Sequence, residues 1–131
     1  MKETRFARTS RWAPTGLAAL FIASGTLHVI RPSLFLPLVP RAMPSREAIV
    51  LVSGVAELVC ATGLITRAGW AGPASAVLLC AVFPGNVTIA VDASRDPKSS
   101  NALIAVLWAR LPLQLPLIWA ALQASGSERR A

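Results

Sequence analysis

Four long apolar runs dominate this chain and limit what it can fold into. They cover residues 13–30, 48–66, 68–91 and 102–122. A helix needs about 20 apolar residues to cross the hydrocarbon core of a bilayer. Each run is apolar around most of its circumference, which is typical of a helix surrounded by lipid or protein. Because backbone groups in hydrocarbon must be hydrogen-bonded internally, the sequence predicts an all-α, integral membrane four-helix bundle.

The composition argues against most soluble classes. Of the 131 residues, 54% are hydrophobic and 15% are charged, whereas a soluble domain carries about 25% charged residues. A disordered chain, a disulfide-stapled secreted fold and an ordinary cytosolic enzyme are therefore disfavoured. The net charge of +7 lies mostly in loops and tails rather than on one basic face. We therefore expect the lipid bilayer as the main partner, and no nucleic acid.

The distribution of charge predicts one transmembrane domain with both ends on the same side. This domain covers residues 13–122, between a basic cytoplasmic N-terminal tail, 1–12, and a polar C-terminal tail, 123–131. With the termini inside, that side carries seven lysines and arginines and the other side five. The positive-inside rule then predicts cytoplasmic termini. The first apolar run exceeds the roughly 7–15 residues of a signal-peptide core, so we expect an uncleaved span.

The first loop, residues 31–47, is unusual for a membrane connection. It reads RPSLFLPLVPRAMPSRE and contains four prolines. Proline removes backbone donors and disfavours a regular helix, yet the segment is too apolar for a free loop. We predict a proline-rich interfacial or re-entrant element that covers one end of the bundle. Ser45 is expected to cap the second helix, and Ser100 or Asn101 the fourth.

Ionisable residues are rare inside the predicted spans. They are His28, Glu57, Arg110 and, at an edge, Asp92. A charged residue at the centre of a span costs about 2.5–3.5 kcal/mol unless it is paired. The second and fourth helices run in the same direction, and Glu57 and Arg110 both lie about 12–14 Å along them. The sequence therefore predicts a salt bridge between Glu57 and Arg110.

Other polar residues are expected in the same half of the bilayer, nearer the first loop. Gln114 lies one helical turn from Arg110, and Asn86 follows Pro84, whose missing amide frees a backbone carbonyl. The simplest arrangement is one ligand or proton pocket roofed by the first loop and formed by His28, Glu57, Asn86, Arg110 and Gln114. Two alternatives remain open. The ion pair can serve only to select neighbouring helices, and His28 can be an interfacial residue rather than a ligand.

Neither the cysteines nor known motifs indicate a catalytic centre. Cys60 and Cys80 are predicted at similar depth, either as two small buried side chains or as a bridge between the second and third helices. One histidine and two separated cysteines do not match a typical metal or haem site. Small residues are expected to permit close helix packing. These are Gly54, Gly63, Gly69 and Gly72.

Four segments resemble the DoxX-like family of small membrane proteins. They are GTLHVIRPSLFLPLVP at 25–40, SGVAEL at 53–58, VFPGNVTIA at 82–90 and RLPLQLPLIWA at 110–120. The resemblance depends on four features taken together: the histidine-to-proline stretch, the glutamate, the F-P-x-N turn and the R-L-P-x-Q stretch. It spans the chain from the first helix to the fourth. Gly85 is a departure, since many relatives have alanine there.

The resemblance implies a four-helix protein of the bacterial cytoplasmic (inner) membrane. Some relatives are subunits of quinone-linked sulfur oxidation systems or are associated with redox complexes, and many have no established activity. The leading hypothesis is an accessory subunit of a membrane redox system, with a quinone as candidate cofactor and a membrane or peripheral redox protein as candidate partner. The alternatives are a non-catalytic scaffold or assembly factor, and a small-solute or proton pathway. Catalysis and homo-oligomerisation stay open. The residues carried over by motif are His28, Glu57, Asn86 and Arg110.

Overall fold

The computed structural model describes residues 3–128, and every long element within that range is a helix. The four helices are α1 (Glu3–Ile30), α2 (Arg46–Ile65), α3 (Ala71–Arg95) and α4 (Asn101–Glu128). Each contains a segment long and apolar enough to cross a membrane, which suggests a multi-pass membrane protein. The predicted all-α, four-helix architecture is confirmed for the described residues.

Two helices extend beyond the apolar runs that predicted them. Helix α1 begins at Glu3, inside the segment predicted as an N-terminal tail, and α4 continues to Glu128. Hydropathy marks only the part of a helix that suits hydrocarbon, whereas backbone hydrogen bonding continues through polar residues with adequate helix propensity. Helix α3 begins at Ala71 rather than at residue 68. The reason is a turn at Arg67, whose backbone adopts a left-handed φ of 58°.

The two predicted serine caps behave differently. The Ser100 hydroxyl accepts a hydrogen bond from the Leu103 amide at 3.1 Å, as expected of an N-cap at the start of α4. Ser45 does occupy the N-cap position of α2, but its side chain makes no capping hydrogen bond. Its backbone is left-handed, with φ 52°, and an N-cap residue normally has an extended backbone. The expectation for Ser45 is therefore correct in position and wrong in mechanism.

The helices form two hairpins packed side by side. Helix α1 packs mainly against α2, and α3 mainly against α4, while smaller contacts join α1 to α4 and α2 to α3. Helices α2 and α4 are consequently at opposite corners of the bundle. This arrangement decides which polar residues can meet across a helix interface.

Among the described residues, the buried apolar cluster that joins all four helices lies towards the end that carries the chain termini. The cluster there consists of Leu17, Ala18, Phe21, Cys60, Ala61, Leu64, Ala71, Leu79, Ala120 and Ala121. At the other end, a smaller cluster joins α3 to α4 alone and consists of Ala90, Ala93 and Leu107. Among the described residues, no buried apolar cluster connects the two hairpins at this end. It is the end that carries the first loop, which the structure shortens to residues 31–45.

Near the first loop, two glycines bring the backbones of α1 and α2 close together. A Cβ atom added at Gly25 would lie 2.8 Å from the Gly54 carbonyl oxygen. One added at Gly54 would lie 2.6 Å from the Cβ of His28. Real Cβ atoms do not approach this closely, so both positions require glycine. The packing role predicted for Gly54 is confirmed, and Gly25 is a partner that the sequence reading did not identify.

Replacing Gly25 by alanine tests this contact. We expect Gly25→Ala to lower the free energy of unfolding by about 1–3 kcal/mol, because the added methyl group meets a backbone carbonyl that cannot turn away. Gly16→Ala is the matched control, since it lies on the same helix with nothing within 4 Å of the added atom. Denaturation in detergent followed by circular dichroism measures both. Equal stability of the two variants would contradict the close approach.

Candidate polar site between α1 and α2

His28 and Glu57 face each other across the interface of α1 and α2. The His28 Nδ1 atom lies 3.6 Å from Glu57 Oε2, and the two side chains are only 13% and 14% exposed. Helical side chains lean towards the N-terminus of their helix. In this antiparallel pair, His28 leans away from the first loop and Glu57 leans towards it. The two groups therefore meet although their backbone positions differ in height.

The imidazole of His28 is held on two sides. Its Nδ1 lies 2.6 Å from the Ser24 carbonyl oxygen, one turn earlier on α1, and donates a hydrogen bond to it. The ring of Phe35, from the first loop, stacks on it with 3.8 Å between centroids and 17° between planes. With the proton on Nδ1, neutral histidine presents Nε2 as an acceptor. The orientation of the ring is thus fixed by α1 and by the first loop together.

Glu57 keeps one carboxylate oxygen without a hydrogen bond. Oε2 is buried, and the described residues supply no donor within hydrogen-bonding distance. The Ser24 hydroxyl lies near the same carboxylate. A buried oxygen without a partner is costly, and more so when it belongs to a charged group. Glu57 Oε2 could therefore accept a hydrogen bond from a ligand, or bind a proton.

The predicted salt bridge between Glu57 and Arg110 does not form. Arg110 is exposed and interacts with the Glu57 carboxylate at longer range only. The depth estimate treated α2 and α4 as neighbours, whereas they lie at opposite corners of the bundle. His28 occupies the partner position because it comes from the adjacent helix.

The remaining predicted residues lie on the other hairpin. Gln114 is buried, with 5% exposure, and its side-chain amide donates to the carbonyl of Leu79. This bond ties α4 to α3 at the residue before Cys80, whose carbonyl is the one that Pro84 leaves without a helical donor. Asn86 is half-buried on α3. Of the five predicted residues, the structure thus brings His28 and Glu57 into contact and leaves the other three on α3 and α4.

The first loop lies against the His28 side of this pair and contains two short 3₁₀ turns, Pro32–Leu34 and Leu36–Leu38. The guanidinium of Arg46, at the start of α2, donates to the Leu36 carbonyl. This bond and the Phe35 stacking fix the loop to both helices of the hairpin. Sequence reasoning missed these contacts. The i, i−4 spacing of Ser24 and His28 was the one available signal for the hydrogen bond within α1.

The two cysteines are not bridged. Both are free thiols, and Cys60 is buried while Cys80 is exposed. Cys60 lies beside Ser75, a fully buried residue of α3. The alternative of a bridge between α2 and α3 is therefore wrong. The prediction compared only the depths of the two cysteines in the membrane, whereas the structure buries Cys60 in the bundle and leaves Cys80 at its surface.

The chain belongs to the family described as "Domain of unknown function (DUF8561)". Its family model matches residues 17–125, which include the second half of α1, all of α2 and α3, most of α4 and every candidate site residue. No curated protein and no solved structure gives a significant match. Family membership therefore assigns no activity, and the chemistry of the site has to be inferred from its residues.

A double-mutant cycle distinguishes the observed pair from the predicted one. For His28→Asn with Glu57→Gln we expect a coupling free energy of at least about 0.5 kcal/mol, as for residues in direct contact. For Arg110→Gln with Glu57→Gln we expect a smaller value, because these groups interact only at longer range. Unfolding of the single and double variants in detergent measures both couplings. A larger coupling for Arg110 would contradict the observed geometry.

Cysteine labelling tests the positions of α2 and α3. We expect a small maleimide that enters the detergent micelle to modify Cys80 before Cys60, since burial restricts access to Cys60. The Cys60→Ser variant should still be modified rapidly, at Cys80, whereas the Cys80→Ser variant should be modified only slowly. Mass spectrometry without reductant should show no intramolecular disulfide. Simultaneous labelling, or a disulfide in freshly prepared protein, would contradict this arrangement.

Proposed function

We propose that this chain is an accessory subunit of a membrane redox system, and that His28 and Glu57 bind the head group of a quinone. The observation that carries the proposal is the His28–Glu57 contact, with its unsatisfied carboxylate oxygen, beneath the first loop. A quinone head group is a planar ring with two oxygens. It accepts hydrogen bonds when oxidised and donates them when reduced.

The chemistry of the pair suits both forms of such a ligand. A reduced head group has hydroxyl donors for Glu57 Oε2 or His28 Nε2. An oxidised one needs a donor, which protonated histidine or a protonated carboxylate provides. The stacked ring of Phe35 supplies a planar apolar surface beside these groups. These two side chains could exchange protons with the head group, while the redox partner protein would exchange the electrons.

The surroundings of the pair also favour a ligand between the hairpins. In the part of the chain whose burial is described, no buried apolar cluster joins the hairpins at the end with the first loop. Arg110, on the opposite hairpin, carries a positive charge that acts on Glu57 across this region. The resemblance to DoxX-like proteins adds weight, since some of those proteins belong to quinone-linked systems.

The proposal includes a position in the membrane. The chain would span the bacterial cytoplasmic membrane four times with both termini in the cytoplasm, as the count of lysines and arginines favours. The first loop would lie at the opposite membrane surface as an interfacial element. His28, near the end of α1, would then be close to the head-group layer that quinones approach from within the bilayer.

A scaffold role is the second candidate, and the glycine contact favours it. Gly25 and Gly54 bring α1 and α2 together directly beside His28 and Glu57. A polar pair at such a place can serve only to fix which helices are neighbours. In that case its removal would weaken assembly, and no ligand would be found. A proton pathway through Glu57 is a third reading, and it predicts flux in proteoliposomes.

Copurification of quinone tests the proposal. The wild-type chain, extracted from membranes in mild detergent, should retain quinone that liquid chromatography with mass spectrometry detects. Glu57→Gln should reduce the retained amount about tenfold, since a hydrogen bond to a charged group is worth about 1.5–3 kcal/mol. Glu47→Gln is the matched control, because it makes the same change at an exposed position on the same helix.

Thermal unfolding of the same samples separates the two candidate functions. Under the redox proposal, Glu57→Gln loses quinone while it still unfolds cooperatively near the wild-type temperature. Wild-type protein that repeatedly lacks quinone, together with a Glu57→Gln variant that unfolds early, would contradict the redox proposal and support the scaffold.

A further inference from the structure

The first loop concentrates positive charge at one end of the bundle. Arg31, Arg41 and Arg46 lie in it or directly beside it, against a single carboxylate, Glu47, which leaves a net charge of +2. The connection between α3 and α4 lies at the same end and is neutral overall. Its charged residues are Asp92, Arg95, Asp96 and Lys98. The excess charge therefore belongs to the first loop and not to this end in general.

The protein orients the guanidinium of Arg46 but does not provide hydrogen-bond acceptors for all of its donors. One terminal nitrogen, Nη2, donates to the Leu36 carbonyl, which holds the guanidinium against the first loop. The Nε atom is buried, and the described residues provide no acceptor for it. Arginine has five donors and stays charged at any physiological pH. An oxygen that enters between the first loop and α2 would satisfy the idle donor while the bond to Leu36 stays in place.

Large apolar side chains that are exposed at the protein surface lie close to these arginines in the sequence. Ile30 is 69% exposed, Leu34 56% and Met43 47%. A soluble anion would use the arginines and leave these side chains in water. A phospholipid uses both, because its phosphate contacts the arginines while its acyl chains cover the apolar side chains. The apolar span of α1 ends at Ile30, so in a bilayer crossed by this helix Arg31 would lie near the level of the lipid phosphates.

We propose that the first loop binds the phosphate group of an anionic phospholipid, with Arg46 as the central contact and Arg31 and Arg41 as flanking charges. Guanidinium groups bind phosphate oxygens through paired hydrogen bonds, which an ammonium group cannot reproduce. The bound lipid would also stabilise the loop that places Phe35 on His28. The lipid would contact neither His28 nor Glu57, so its binding can be measured separately from quinone binding.

Native mass spectrometry with two lipids tests the proposal. The purified full chain is mixed with equal amounts of phosphatidylglycerol and phosphatidylcholine in mild detergent. We expect wild-type protein to retain phosphatidylglycerol in about fivefold excess, the ratio that corresponds to one arginine interaction near an anionic membrane surface. Arg46→Gln should bring the ratio close to one. Arg67→Gln is the matched control, because it removes an exposed arginine at the opposite end of the bundle.

A second variant keeps the test decisive if Arg46→Gln does not fold. The double variant Arg31→Gln, Arg41→Gln leaves the Leu36 bond untouched and should lower the lipid ratio to an intermediate value. Equal retention of the two lipids by wild-type protein would overturn the proposal. So would an equal loss in Arg67→Gln. Displacement of phosphatidylglycerol by millimolar inorganic phosphate would also overturn it, in favour of a site for small anions.

Discussion

Two glycines, Gly25 and Gly54, let the backbones of α1 and α2 approach until Gly54 lies against the Cβ of His28. With larger residues here the helices would separate by the width of a methyl group or more, and His28 could no longer reach the Glu57 carboxylate. The contact also brings the start of α2 close enough for Arg46 to hold the first loop. Packing, the polar pair and the loop therefore depend on one close approach.

The arrangement of the remaining polar groups follows from the cost of charge in an apolar environment. Glu57 lies in the middle of an apolar helix, where an isolated carboxylate is unfavourable. The structure lowers this cost by placing His28 beside it and Arg110 farther away across the bundle. One carboxylate oxygen still has no hydrogen bond. This carboxyl group lies at the end of the bundle where, among the described residues, no buried apolar cluster joins the two hairpins, and it is there that we propose a ligand binds.

The sequence predicted the helices well and their neighbours poorly. Apolar runs report which segments can lie in lipid, so four helices and a proline-rich loop followed directly. The sequence gives the depth of a residue along its helix but not which helices are neighbours. Glu57 and Arg110 have similar depths, yet their helices, α2 and α4, lie at opposite corners of the bundle. The same limitation led to the alternative of a bridge between Cys60 and Cys80. His28 pairs with Glu57 because α1 and α2 are neighbours and because the two side chains point towards each other along their helices. Hydropathy predicts neither of these features.

The single histidine of the chain offers a direct test of the central contact. With ¹⁵N-labelled histidine in lipid bilayers, solid-state NMR observes the two imidazole nitrogens of His28 alone. We predict a protonated, hydrogen-bonded Nδ1 whose signal shifts in Glu57→Gln and stays nearly unchanged in Arg110→Gln. An imidazole spectrum that ignores Glu57→Gln, or that responds equally to Arg110→Gln, would contradict the His28–Glu57 contact.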